Sequence, residues 1–159
     1  MINWPSKAAP CIRPIGAERS GECAAIHATS FAYPWKEADF EQLFVASGTF
    51  AEGAIEAKEE HLAGFVLSRA AAGEAEILTI AVAPRWRRRG IASSLLAPHL
   101  SGLAASRINR LFIEVDVENT AARALYANFG FEQVGERKAY YRTAGARLVG
   151  ALVLRRDLL

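Results

Sequence analysis

A chain of 159 residues, 52% hydrophobic and 23% charged, has the profile of one folded domain and excludes a disordered or fibrous chain. A domain of this size buries roughly 70% of the surface its unfolded chain exposes, so disulfides and metals are not needed for a core, and a net charge of +2 is too small to argue for nucleic acid. No segment approaches the ~20 apolar residues of a membrane span, and the opening stretch, broken by Pro5, Pro10 and Pro14, lacks the apolar run of a secretory signal.

Residues 1–10 read as an N-terminal tail to a single domain spanning 1–159. Cys11 to Ile15 reads as a first strand and Ala17 to Thr29 as a helix carrying Cys23, Ile26 and His27 on one face. Phe31-Ala-Tyr-Pro-Trp35 interrupts it, and a short helix follows through Phe40, Leu43 and Phe44. Strands are expected from Thr49 to Ala57, Leu62 to Arg69 and, after Gly73, Ile77 to Val82, with Pro84 ending the third. A helix then runs from Gly90 to Ala105; Pro98 inside it removes a backbone donor and predicts a kink. Leu111 to Val115 is the next strand, Asn119 caps a helix from Thr120 to Phe129, and Gly130 stops it. Phe131 to Tyr141 and Leu148 to Leu154 form a closing hairpin. The class is α+β, with about seven strands and four helices.

Cys11 and Cys23 have no zinc-ligand spacing, and His27, His61 and His99 are scattered. No metal is expected, and the cysteines read as reduced residues of a cytoplasmic protein. Positive charge is concentrated at one place, Arg85, Arg87, Arg88 and Arg89, inside Ala81-Val-Ala-Pro-Arg-Trp-Arg-Arg-Arg-Gly-Ile-Ala92. A strand followed by a basic, glycine-containing turn that opens a helix is an anion site. The first helical amides lack intrahelical acceptors, the helix dipole is positive there, and glycine lets a phosphate approach the backbone. The turn has neither the Lys-Ser/Thr of a P-loop nor a G-x-G-x-x-G.

The spacing Arg87-x-x-Gly90-x-Ala92 resembles the R/Q-x-x-G-x-G/A motif of the GNAT acetyltransferases. The stretch FIEVDVENTAARALYANFGFEQVG, with Asn119, Ala122, Leu125, Tyr126 and Gly130-Phe131, is similar to a second region of that family. Within it the likeness is to RimI-type enzymes, which acetylate the N-terminal alanine of a small-subunit ribosomal protein. His27-Ala-Thr-Ser-Phe-Ala-Tyr-Pro-Trp35, Glu76-Ile-Leu-Thr-Ile-Ala-Val82 and Tyr140-Tyr141 extend it. The resemblance implies the GNAT fold and acetyl-CoA as cosubstrate, attacked directly by an amine in a ternary complex. The pyrophosphate falls to the loop through Arg87, Arg88, Arg89, Gly90, Ile91 and Ala92, and the rest of the cosubstrate to Ile80, Ala81 and Val82.

Amine attack on a thioester needs a base, an oxyanion donor and an acid for the thiolate. Glu114 sits in an apolar strand, where a carboxylate is costly unless paired or used. The resemblance makes it the general base; the other reading is a structural carboxylate paired with one of the local arginines. Glu76 is the alternative base, acting through water, or a solvated residue at its strand entrance. Tyr126 is implied as general acid toward the sulfur, against a core aromatic beside Leu125 and Phe129. A backbone amide of the strand ending at Val82 is implied for the oxyanion. Asn119 serves the cosubstrate or caps its helix. Tyr33, Trp35, Tyr140 and Tyr141 lie where the family builds the acceptor groove, and Trp35 reads equally as core.

At pH 7 roughly one α-amine in ten is neutral but only about one lysine in 2,500, so a modest carboxylate suffices for an N-terminus. The expected acceptor is therefore a protein N-terminus, with no nucleic acid or membrane partner and a monomer or weak homodimer as the assembly. A small amine, which calls for a closed pocket, is the second reading. The third is a non-catalytic module binding acyl-CoA or an RNA phosphate chain through its arginines; against RNA, only Trp86 is interleaved with them.

Overall fold

The computed structural model describes residues 8–142 and 148–159. Its strands are β1 (Cys11–Pro14), β2 (Thr49–Ile55), β3 (Leu62–Ala71), β4 (Glu74–Val82), β5 (Arg110–Asp116), β6 (Glu132–Arg142) and β7 (Leu148–Asp157). The helices are α1 (Ser20–Ala28), α2 (Glu37–Val45), α3 (Ile91–Ala105) and α4 (Thr120–Asn128). Among the described residues no helix is long and apolar enough to cross a membrane.

The strands form one sheet in the order β1-β2-β3-β4-β5-β7-β6. β1 to β4 are antiparallel, β2–β3 and β3–β4 as hairpins and β1–β2 across the two intervening helices. At the β3–β4 turn both Ala72 and Gly73 take positive φ, the backbone that suits the twist of a two-residue hairpin. β4 and β5 are parallel, with α3 as the crossover that parallel strands require. β7 inserts between β5 and β6.

Apolar side chains leave both faces of the sheet. On one, Leu95, Leu96, Leu100 and Leu103 of α3 and Tyr126 of α4 pack with Ile77, Leu111, Ile113 and Val115. On the other, Cys23 and Ile26 of α1 and Phe40 of α2 pack with Ile55, Phe65, Leu67 and Ala81. Burial pushes the Cys23 thiol up to about 12, leaving it an inert core residue.

Several boundaries differ from the sequence reading. Ala17–Arg19 is a 3-10 turn that precedes α1. β2 stops at Ile55, and β7 continues to Asp157. β4 begins at Glu74, because Glu74 and Glu76 alternate with buried Ala75 and only one face of that end is covered. α3 continues through Pro98, which is exposed.

One irregularity shapes the centre of the sheet. Leu67 pairs with Thr79 but Ser68 with Ile77, so Leu78 is an extra residue in β4. A bulge bends its strand and increases the local twist. β4 pairs with β5 only over Glu74–Glu76 and Arg110–Phe112; beyond the bulge the two strands part.

Candidate active site

The parting of β4 and β5 leaves a slot through the sheet. Ala83 donates its amide to Ala63 O at 2.8 Å. In an antiparallel ladder the alternate residues Val82 and Ile80, opposite Gly64 and Val66, therefore turn their backbone groups the other way, into the slot. Val82 O accepts from Arg87 Nε at 3.1 Å on that side.

Beyond Val82 the chain makes a 3-10 turn, Pro84–Trp86, and reaches α3 through Arg87 to Gly90. Arg88 and Gly90 have φ of 60° and 76°. A Cβ on Gly90 would meet nothing within 4 Å, so glycine is favoured there by backbone conformation, since left-handed φ strains other residues. No side chain caps α3; the intrahelical ladder begins with Ser94 N donating to Gly90 O at 3.0 Å. The preceding amides of the first turn point out of the helix without intrahelical acceptors. They border a recess of about 150 Å³ lined by Val82, Trp86, Arg87, Arg88, Gly90, Ile91, Ala92 and Ser93. Helix dipole, outward amides and Arg88 together form an anion cradle suited to a pyrophosphate, whereas the Arg87 guanidinium is taken up by Val82, Thr29 and Ser30.

A residue absent from the sequence reading holds this loop. Glu56, buried just after β2, accepts from the indole Nε1 of buried Trp86 and from Arg85 Nη2, the latter at 2.6 Å. Arg85 is thus ion-paired. Arg89 lies over the Trp86 ring, 5.3 Å from its centroid.

Leu111, Ile113 and Val115 of β5 point toward α3 and α4, so by strand alternation Phe112, Glu114 and Asp116 face the α1–α2 side. Glu114 is half-buried there, and Arg137 Nε of β6 reaches across β7 to its Oε1 at 2.9 Å. An arginine does pair with Glu114, but it comes from β6 and not from the arginines local to β5 in the chain. Glu76 pairs in register with Phe112 and shares that face, but it is exposed and sits where the strands are still joined.

Tyr126 lies on the opposite face, buried against Phe131 with ring centroids 5.3 Å apart. Burial raises its pKa well above the usual phenol range, which keeps it protonated as a proton donor must be. Asn119 caps α4, its Oδ1 accepting from Ala122 N at 3.1 Å. Ile80 is half-buried against the α3 side and Ala81 is buried on the α1–α2 side.

The segment between α1 and α2 is built around His27. Its ring stacks on Phe31 at 4.1 Å and on Trp35 at 4.8 Å, and meets Phe40 edge-on. Nδ1 accepts from Trp35 N at 3.1 Å, so the neutral ring carries its hydrogen on Nε2. Burial depresses its pKa from 6.5 to about 4. Trp35 packs against the core and is half-buried, while Phe31 is 42% and Tyr33 65% exposed. The side chains of Tyr140 and Tyr141 lie outside the described residues.

Residues 20–131 match the acetyltransferase (GNAT) family. An N-alpha-acetyltransferase RimI of Mycobacterium tuberculosis is 35% identical over 141 residues, covering 85% of this chain and 84% of that one. A [ribosomal protein bS18]-alanine N-acetyltransferase of Salmonella typhimurium is 32% identical over 122 residues, covering 75% and 78%. The crystal structure of the ribosomal-protein-S18-alanine N-acetyltransferase from Escherichia coli superposes with a TM-score of 0.84 at 25% identity, covering 93% of each chain.

Proposed function

This chain belongs to the acetyltransferase (GNAT) family and is an N-acetyltransferase, and on that premise we propose that it moves an acetyl group from acetyl-CoA to the α-amine of a protein N-terminus, an alanine as in the RimI-type relatives. The observation that carries the reading is the slot between β4 and β5, with an anion cradle and Tyr126 on one face and Glu114 on the other.

Acetyl-CoA supplies the activated thioester. The amides around Gly90, Ile91 and Ala92, with Arg88 and Arg89, neutralise its phosphates, while the backbone of Ile80 and Val82, on either side of the β3-paired Ala81, holds the thioester arm in the slot. Asn119 caps α4 beside it. An amide directed into the slot from Ile80 or Val82 stabilises the negative charge that develops on the thioester oxygen. Glu114, held by Arg137, takes the proton of the attacking amine directly or through water, and Tyr126 delivers a proton to the sulfur as it leaves. Opposed placement suits direct attack, since the amine enters from the face that the thiolate does not leave by. Glu76, exposed and at the joined end of the strands, is the weaker choice of base.

The exposed Phe31 and Tyr33 favour an open groove for a peptide over a closed pocket for a small amine. We propose Tyr33, Trp35, Tyr140 and Tyr141 as its walls, a small-subunit ribosomal protein as the partner, and the cytoplasm as its location. The test is release of coenzyme A thiol with free Ala-starting peptides, the same peptides blocked at the α-amine, and polyamines. Turnover with free peptides alone is expected. Turnover with polyamines alone moves the acceptor to the small amines, and acetyl-CoA binding without turnover makes the chain a binding module.

A further inference from the structure

Arg87 occupies the first position of the phosphate-loop motif, yet its side chain leads away from the loop. Nε donates to Val82 O at 3.1 Å. Nη2 donates to Thr29 O at 3.3 Å, Thr29 Oγ1 at 3.1 Å and Ser30 Oγ at 3.1 Å, all just beyond the end of α1. The far anchor is itself firm. Thr29 Oγ1 donates to Ile26 O at 2.6 Å, and the amides of Ser30 and Phe31 both donate to His27 O, at 3.0 and 3.1 Å. His27 in turn holds the Trp35 amide and stacks on Phe31 and Trp35. One guanidinium therefore joins the edge of β4 to the base of the aromatic wall, and a planar fork is the group suited to spanning several acceptors at once.

We propose that Arg87 is a positioning residue for the acceptor: a strut that sets the Phe31–Trp35 wall relative to the slot and passes the order imposed on the phosphate loop by the cosubstrate to the acceptor side. The inference rests on the acyl-transfer reading above and names how its two binding sites communicate. With the strut in place, coenzyme A in the cradle stiffens the loop and, through Arg87, residues 29–36. Acceptor then binds better to the loaded enzyme than to the free one, and by linkage the preference is reciprocal.

Arg87→Ala tests this with three readouts: coenzyme A affinity by calorimetry, amide hydrogen exchange across residues 29–36 with and without coenzyme A, and kcat and KM for an Ala-starting peptide. The strut predicts faster exchange over 29–36, loss of the protection that coenzyme A gives that segment, and a rise in peptide KM of about tenfold, about what a single charge-assisted hydrogen bond contributes and so a lower bound for the four that Arg87 makes. Coenzyme A affinity should stay within about twofold. Arg87→Lys keeps the charge but not the fork and should behave like Arg87→Ala, while Thr29→Ala/Ser30→Ala should move the same readouts in the same direction from the other end. Coenzyme A affinity falling about tenfold or more and restored by lysine, with exchange over 29–36 as in the wild type, would overturn the proposal and make Arg87 a phosphate ligand. Should the wild type turn over no peptide, the acceptor reading falls while calorimetry and exchange still decide the strut.

Discussion

The two ends of the slot are built on different principles. The phosphate end is local: twelve consecutive residues, 81–92, supply strand edge, turn, arginines and helix amides. Its left-handed Gly90 and the outward amides of α3 act through backbone, so the ligand chemistry is written in short-range spacing. The acceptor end is assembled from a distance. Glu114 of β5 meets Arg137 of β6 across β7, and the aromatic wall is tied at Thr29 to Arg87, 58 positions later. A cosubstrate site can thus be recognised from a segment, whereas an acceptor site requires the fold.

Substitutions can separate the two ends. The largest effect should come where they meet: Glu114→Gln and Tyr126→Phe should each lower kcat by about 10²–10⁴-fold, the span of a lost acid or base. Coenzyme A affinity, read by calorimetry, should be unchanged for Glu114→Gln, which lies on the acceptor face; a matching loss of affinity would blur the division. Glu56→Ala removes the acceptor of the buried Trp86 indole N–H and should cost about 1–3 kcal/mol of stability, seen in denaturant unfolding. Coenzyme A affinity should weaken with it because the loop loses its hold.

Gly90→Ala is a smaller, cleaner perturbation. There is room for the methyl group, so the cost is that of left-handed backbone alone, about 1–2 kcal/mol. Tighter or unchanged coenzyme A binding would show that this conformation is not what the cradle needs.

The smallest effect concerns pH. His27 titrates at about 4 when folded against 6.5 ordinarily, so on acidification the unfolded chain takes up the proton first. Its contribution is complete above about 6.5 and is lost as pH falls toward about 4. Protection factors, which take out the intrinsic slowing of exchange in acid, should therefore fall over residues 29–36 before residues 84–92 in that window. His27→Gln should flatten the corresponding part of the pH dependence of Tm.

The same contrast explains what the sequence disclosed. Alternating and helical periodicities, the Pro84 stop and the Asn119 cap are properties of neighbours in the chain, and the elements they announce are present, with seven strands and four helices among the described residues. The bulge at Leu78 depends on how β3 pairs with β4 and had no signature in an unbroken apolar run. Glu56 looked like the polar end of a strand, although 30 positions later Trp86 relies on it. Arg137 had no motif, and the side chain of Arg87 could not be separated from its neighbours Arg88 and Arg89 until Thr29 and Ser30 were placed against it. Glu114 stood out because a carboxylate amid Leu111, Phe112, Ile113 and Val115 requires a purpose.

The acceptor proposed for this slot is a protein α-amine. The most direct test is tandem mass spectrometry of an Ala-starting peptide carrying an internal lysine after incubation with the protein and acetyl-CoA. Acetylation of the alanine nitrogen and not of the lysine, abolished by Glu114→Gln, is the predicted result. Acetyl groups on the lysine side chain with a free N-terminus, or equal α-acetylation by the Glu114→Gln variant, would contradict it.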